Sequence, residues 1–577
     1  MGIHASYVRS IDEINLRHFI FVSRPNRQST LRFLISSGLM ASLLVFALSC
    51  SPVSVKRPST ERMIASVLEE ARRSNSGNPL LARAATLEPV DSLQALAAYL
   101  KVARTALPGI TTDKEAARDY SLSTERAFQL LFETGLDAMD LKTAEGNFQI
   151  SVDHNSRDLV DPDVLYDVIP SRQLKVSGFR QDATHTGYGS PAVAEQIANP
   201  TNQPFIPKYG LTFPVTITLD FPSTNRAVFR IHDSIRSDKA VLGRKLVPLA
   251  TDYTASLGVL LGKNMQQING IKATLYPQSS IERVGLYLPD RYDPKKIPVI
   301  LVHGLLATPD TWRFLVNSVM MDEEIRHNYQ FYYFLYPTGI PIPYSALQLR
   351  KELNRLQREL NPQSKNPSLD DIVIIGHSMG GLLTSMQVRS GGDKLWNDLF
   401  PRPVKESRLP PKYEDLLHDM FYFESAPFIR RAVFANTPHR GSPLADSRIG
   451  RLGAWLIRLP TKLPGVVVDV LSLNLEGLGL KAGEIPNGIS QLRNRSLLLE
   501  SLRRRPVPSR IPYHTIIGDR GKNDSPNGSD GIVPYTSAHL QGAASERIVP
   551  SDHSGHQHEE GIQEIKRILK LHLKSVR

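Results

Sequence analysis

Ser378 sits in Gly376-His377-Ser378-Met379-Gly380, with "DIVII" before it and "GLLTSM" after it. A serine flanked by glycines, between a β-branched run and a helical pattern, is what a strained strand-to-helix bend requires. A Cβ at the flanking positions would strike the neighbouring strand and helix, and the strain leaves Oγ exposed above the sheet edge. Such an oxygen is a nucleophile toward a carbonyl once a base takes its proton. The helix that starts there adds N–H groups and a dipole favourable to developing negative charge. The base in turn needs an orienting carboxylate. Downstream, "GDRGKNDSPNGSDGIVPYTSAHL" offers Asp519, Asp524 and Asp530, and "IVPSDHSGHQHEE" offers His553, His556 and His558. Three histidines so close could suggest a metal, but no carboxylate or cysteine cluster completes such a site. No metal and no cofactor is expected.

The elements that must position these residues alternate strand and helix from about Arg291 onward. "IPVILVHG", "YQFYYFLYP", "DIVIIGHS", "RAVFANTP" and "YHTIIGD" read as strands. "TPDTWRFLVNSVM" begins with Thr308 as N-cap and Pro309 at the first helical position. "YSALQLRKELNRLQREL" puts Leu349, Leu353, Leu356 and Leu360 on one helical face, and "EEGIQEIKRILKLHL" is the closing helix. This order implies a mostly parallel sheet with helices on both faces.

"VHGLL", "GHSMGG", "ANTPHRGSPLAD" and "SDGIVPYTSA" occur in that order over roughly the second half of the chain. This part resembles the α/β-hydrolase superfamily, in its lipase-like branch. The resemblance implies an α/β-hydrolase fold with the triad in chain order Ser, acid, His. "SDGIVPYTSA" is similar to the acid loop of lipases, which makes Asp530 the acid, with Asp519 and then Asp524 as alternatives. His553 follows "IVPSD", where the fold's catalytic loop begins, and is preferred as base over His556 and His558. The His303-Gly304 pair resembles the oxyanion loop of lipases. It implies the backbone N–H of Leu305 as one oxyanion donor and that of Met379 as the other, with His303 shaping the loop. His439 and Arg440, in "TPHRGS", are expected at the pocket rim.

Upstream, the lone cysteine, Cys50, follows the apolar run "LRFLISSGLMASLLVFALSC", which comes after Arg24 and Arg27 and includes Arg32. A basic stretch, an apolar run and small residues at its end describe a secretory signal. "FALSC" resembles the lipobox of bacterial lipoproteins, which implies lipidation of Cys50. Ser51 follows it, and the family's inner-membrane retention aspartate is absent, so the outer membrane of a bacterial cell envelope is favoured. An uncleaved N-terminal anchor is the alternative. One cysteine excludes an intramolecular disulfide. The formal net charge of +12 fits an anionic membrane surface, and no nucleic-acid module accompanies it.

The expected organisation is therefore a signal peptide (1–50), a tether (51–60), a helical segment (61–145), a β-rich accessory region (146–283) and the α/β-hydrolase catalytic domain (284–577). Within the helical segment, Ser123 reads as the start of a second helix. "DATHTGYGSPAVAEQIANPTNQP" reads as a long loop. Between "TPHRGS" and "YHTIIGD" lies an insertion, about 443–510, rich in Leu, Val and Trp with basic residues between. It reads either as a lid that touches lipid or as a core-packing helical excursion. The leading expectation is a membrane-anchored serine hydrolase of carboxylic esters, with acyl lipids as substrates. The alternatives are an acyltransferase, phospholipase or amidase with the same triad, or a non-enzymatic binding protein on the same fold. Protein partners are not legible.

Overall fold

A computed structural model describes residues 53–73, 78–153, 159–160, 164–198, 204–262, 283–400, 411–446, 492–494 and 496–577. The expected signal, Cys50 and the first tether residues lie outside these, as does most of the expected insertion. Among the described residues no helix is long and apolar enough to cross a membrane.

The described residues begin with a short strand, Ser54–Lys56, which lies in the expected tether and pairs antiparallel with Lys175–Ser177; then come α1 (Thr60–Arg73), α2 (Pro79–Leu87), α3 (Ser92–Ala106) and α4 (Lys114–Thr134). Side-chain oxygens of Asn78, Asp91 and Asp113 accept first-turn N–H groups and start the last three of these. Ser123, expected as a helix start, lies buried inside α4. Its hydroxyl donates to the Asp119 carbonyl one turn back, an arrangement a helix interior accommodates. Asp113 takes the capping role because its carboxylate reaches the Glu115 N–H at 2.8 Å. The helix stops at Gly135, and pairing of strands starts at Ala138, inside the span expected to be helical.

Among the described residues a six-stranded sheet follows, built from β1 (Ala138–Thr143), β2 (Gly146–Val152), β3 (Leu165–Pro170), β4 (Ser190–Gln196), β5 (Leu211–Ser223) and β6 (Arg226–Asp233), in the order β1-β2-β6-β5-β4-β3. Only β2 and β6 pair in parallel. One face packs on the helices: Tyr99, Phe128 and Leu131 share a core with Phe148, Phe213, Ile217 and Phe229. Each such buried side chain contributes roughly 1.5–3 kcal/mol, so helices and sheet stand or fall together. β4 runs through the stretch expected to be a loop. Ala192 and Ala194 face the helical core while Val193 faces the opposite apolar cluster. Burial on both faces removes the polar alternation that marks a strand. The opposite cluster includes Ala255 and Val259 of α5 (Tyr253–Leu260), a helix buried throughout. Leu257 and Leu260 of the same helix pack into the core of the second sheet.

That second sheet contains, among the described residues, β7 (Gly285–Tyr287), β8 (Ile297–Val302), β9 (Tyr329–Leu335), β10 (Ile372–His377), β11 (Ile429–Ala435), β12 (Tyr513–Gly518) and β13 (Ser545–Val549). The order is β7-β9-β8-β10-β11-β12-β13. Every pairing is parallel except that of β7 with β9. Alternate residues of β8 split between two cores, as the strand period demands. Ile300 and Val302 pack with Leu349, Leu353 and Leu356 of α7 (Ile342–Leu360) and with Leu382 and Leu383 of α8 (Met379–Ser385). Val299 and Leu301 pack with Leu315 and Val319 of α6 (Arg313–Met320) and with Ile562, Ile565 and Ile568 of α9 (Glu559–Val576). Helices on both faces of this strand order make the α/β-hydrolase fold. Thr308 has the extended backbone of an N-cap but makes no capping bond; a 3-10 turn, Pro309–Trp312, precedes α6. After β11 the chain passes Ser442, whose N–H donates to the Leu492 carbonyl at 2.8 Å. This bond joins the residue before the expected insertion to Leu492, where the described residues resume.

Candidate active site

Ser378 lies between β10 and α8 at φ 52, ψ −124. A non-glycine residue at positive φ is strained by about 1–3 kcal/mol and persists only where its surroundings impose it. Here they do. The Ser378 N–H donates to the Ala435 carbonyl at 2.9 Å, and the Gly381 N–H to the Ser378 carbonyl at 2.9 Å. A Cβ on Gly380 would stand 2.3 Å from the Val302 carbonyl oxygen, and one on Gly376 would stand 2.6 Å from that of Gly380. Strand and helix therefore meet as closely as glycine allows, and the serine occupies the bend.

His553 Nε2 is 2.8 Å from Ser378 Oγ, and His553 Nδ1 is 2.7 Å from Asp530 Oδ2. An ionised carboxylate only accepts, so Nδ1 carries the proton and the Nε2 lone pair faces the serine hydroxyl. Asp530 is 1% exposed. Burial alone would raise its pKa, but the His553 ring, the Val533 N–H and Asn436 outweigh that and hold its carboxyl below the usual range. Oδ1 accepts from Ile532 and Val533 N–H at 2.8 and 2.7 Å, and Oδ2 accepts from Asn436 Nδ2 at 2.7 Å. The alternatives are occupied elsewhere. The Asp519 carboxylate accepts the Gly521 and Asn523 N–H groups and shapes its own turn. Asp524 lies exposed in the same loop. His556 pairs with Thr311 Oγ1 at 2.8 Å, and His558 caps α9.

The His303-Gly304 loop, expected to hold an oxyanion, passes directly against Ser378. A Cβ on Gly304 would lie 2.9 Å from Ser378 Cβ, so only glycine lets the backbone approach. Leu306, at φ 60, donates its N–H to Thr338 Oγ1 at 3.2 Å. Among the described residues no acceptor takes the N–H of Leu305 or of Met379. His303 is buried and stacks on Tyr336 at 4.5 Å. Burial pushes its pKa down to about 4, and its carbonyl accepts from the Tyr336 hydroxyl at 2.8 Å. It is a neutral loop-shaping residue.

Two neighbours of the site were not singled out from sequence. His377 Nε2 lies 2.8 Å from the His553 carbonyl; a carbonyl only accepts, so Nε2 donates. Burial holds this imidazole neutral, with its pKa down to about 3. Asn436, at φ 48, ends β11 and steadies Asp530; asparagine tolerates the left-handed region better than most residues. An asparagine directly after a buried strand was the only available signal. His439, expected at the rim, is instead buried against the edge of Phe434. Arg440 ties this loop to the acid loop through the Thr536 and His539 carbonyls at 2.6 and 2.7 Å. Among the described residues, Asp238, Glu323 and His327 come within metal-ligand spacing of one another. Arg326 already pairs with Asp238 at 2.7 Å, which disfavours a cation there, and none of these residues belongs to the Ser378 site.

Fold and geometry together place the chain among α/β-hydrolase-fold proteins that carry a hydrogen-bonded Ser-His-Asp set. No family model matches the chain, and no curated protein matches it in sequence. Among solved structures it is similar to a Bacillus licheniformis lipase in mature form, with 15% identity and TM-score 0.29 over 50% of this chain and 97% of that one. It is also similar to a lipase-esterase related protein from Clostridium acetobutylicum, with 11% identity and TM-score 0.26 over 48% and 96%. A third is a thermophilic esterase from Thermogutta terrifontis, with 15% identity and TM-score 0.25 over 48% and 91%. The fold assignment rests on the strand order and not on these likenesses.

Proposed function

We propose that the chain is a serine hydrolase of carboxylic esters, acting on acyl lipids at a membrane surface. The observation that carries this reading is the continuous relay from Ser378 Oγ through His553 to Asp530 at 2.8 and 2.7 Å. Ser378 Oγ attacks the acyl carbonyl carbon while His553 Nε2 takes the hydroxyl proton. The negative charge on the carbonyl oxygen is received by the Leu305 and Met379 N–H groups; losing one such donor typically costs about 3 kcal/mol. Collapse of the tetrahedral intermediate breaks the ester C–O bond, and His553 returns its proton to the departing alkoxide. Water then attacks the acyl-serine, with His553 again taking and returning the proton. Ser378 and His553 are only 6% and 7% exposed, and screening from water strengthens each of these electrostatic contacts. The test is fluorophosphonate labelling together with turnover of an ester panel graded in acyl length. Ser378→Ala is expected to lose both while keeping its thermal unfolding profile. Labelling of this variant at the wild-type rate removes Ser378 from the mechanism.

The preference for acyl lipids is supported by the apolar composition of the insertion and by the lipobox-like "FALSC". In this reading Cys50 carries the lipid that anchors the protein, in the outer membrane of a bacterial envelope. Each buried CH₂ contributes about 0.8 kcal/mol, and several chains together give firm attachment. Mass spectrometry of the mature N-terminus is expected to find a diacylated Cys50, and Cys50→Ser is expected to lose it. An intact N-terminus at Met1 would instead mean an uncleaved helical anchor.

A further inference from the structure

The loop that carries His553 belongs to no strand and no helix. It runs from Pro550 to His558, between β13 and α9. Holding such a loop costs about 1–2 kcal/mol per residue in backbone entropy, so its anchors decide where the base sits. One anchor is internal: His377 holds the His553 carbonyl at 2.8 Å. A second is Thr311, whose Oγ1 is 2.8 Å from His556 Nε2 and accepts from Gln557 Nε2 at 2.9 Å. A third is the Arg520 N–H, which donates to the Ser551 carbonyl at 2.8 Å, and a fourth comes from outside the catalytic fold. Arg180, on the segment after the short strand Lys175–Ser177, donates to the Gln557 carbonyl.

That segment is itself tied to α6 and α5. The Gly178 carbonyl accepts from Arg313 Nε and the Gln181 carbonyl from Asn317 Nδ2, both at 2.9 Å. The Ala183 N–H donates to Thr254 Oγ1 at 2.6 Å, and this hydroxyl donates to Asn317 Oδ1 at 2.8 Å. Phe179 packs against the core under the sheet. The Arg180 guanidinium lies 4.4 Å over the Phe314 ring, which fixes the direction of its N–H groups. A surface arginine with both its backbone and its head group immobilised is suited to holding one carbonyl.

We propose that the accessory region positions the catalytic base, with Arg180 as the positioning residue acting through the Gln557 carbonyl. The proposal rests on the reading of His553 as base. A displacement near 1 Å of a catalytic group costs up to about a hundredfold in rate, and the internal anchors remain when Arg180 is removed. Arg180→Ala is therefore expected to lower both the fluorophosphonate labelling rate and kcat for a p-nitrophenyl ester by about tenfold, with KM within about twofold. Amide exchange in the Ser551–His558 peptide should quicken by about tenfold in the full-length variant while the Ile372–His377 strand stays unchanged. Arg180→Lys, which keeps a donor, should recover most of the labelling rate. Unchanged loop exchange overturns the proposal, as does faster loop exchange with an unchanged labelling rate. Equal quickening in Ile372–His377 overturns it too, because the variant is then merely destabilised. A wild-type chain that neither labels nor turns over any ester removes the hydrolase reading itself, and the positioning of a base with it.

Discussion

Asp530 and Asp519 are both buried carboxylates at the same end of the sheet, and what separates them is where their lone pairs go. Asp530 receives the imidazole and three further donors, whereas Asp519 spends its oxygens on its own turn. Asp530→Asn is expected to lower kcat by about 10⁴, because an amide can donate to Nδ1 and favour the wrong tautomer. Asp519→Asn should cost less than tenfold, since its amide oxygen can keep one turn bond. Steady-state kinetics on one ester decides the matter, and the reverse ranking moves the acid to the strand end. Ser378 could be singled out in the sequence because its flanking glycines and β-branched run have few other uses. The choice among His553, His556 and His558 depends on the path of one loop, which no local pattern encodes. His377 was invisible as an anchor for a related reason: its partner is a carbonyl, and every residue has one.

At the scale of elements, the elbow works because β8, β10 and α8 meet without a side chain between them. Gly380→Ala would set a methyl group 2.3 Å from the Val302 carbonyl oxygen, and that atom belongs to a strand paired on both sides. It cannot yield without breaking pairing, so a loss of at least about 3 kcal/mol is expected. Urea unfolding measures it; a loss below about 1 kcal/mol would mean the sheet and α8 can separate. Strands β8 to β12 of the second sheet were readable because they are mostly apolar runs buried on both faces, bounded by turns. β4 was not, although it too is covered on both faces: alanine and a proline carry little strand signal. Ser123 does not start α4, because serine serves as a cap in one setting and bonds back within a helix in another.

Across the whole molecule, a set of histidines is kept neutral. His232, His303, His514 and His572 are each pushed down to about 4, in every case by burial first. Their ordinary value is 6.5, so between about pH 6.5 and 4 the unfolded chain binds more protons than the folded one. Stability is then fully present above about 6.5 and falls as pH drops toward 4, by up to about 1.4 kcal/mol per pH unit for each histidine. Asp530 acts outside this window: its depressed pKa contributes stability above the ordinary carboxylate range, lost only in stronger acid. Urea midpoints taken from pH 7 to 5 should decline steadily, and a flat profile would mean that water reaches these rings. One further consequence follows from the bond between the Ser442 N–H and the Leu492 carbonyl. Because these two residues already touch, chain added between them costs only a slowly growing closure entropy, about 0.6 kcal/mol for each doubling of length. Insertions or deletions between Ser442 and Leu492 are thus expected to leave the stability of the second sheet nearly unchanged, so chain length is weakly constrained at this point of the fold.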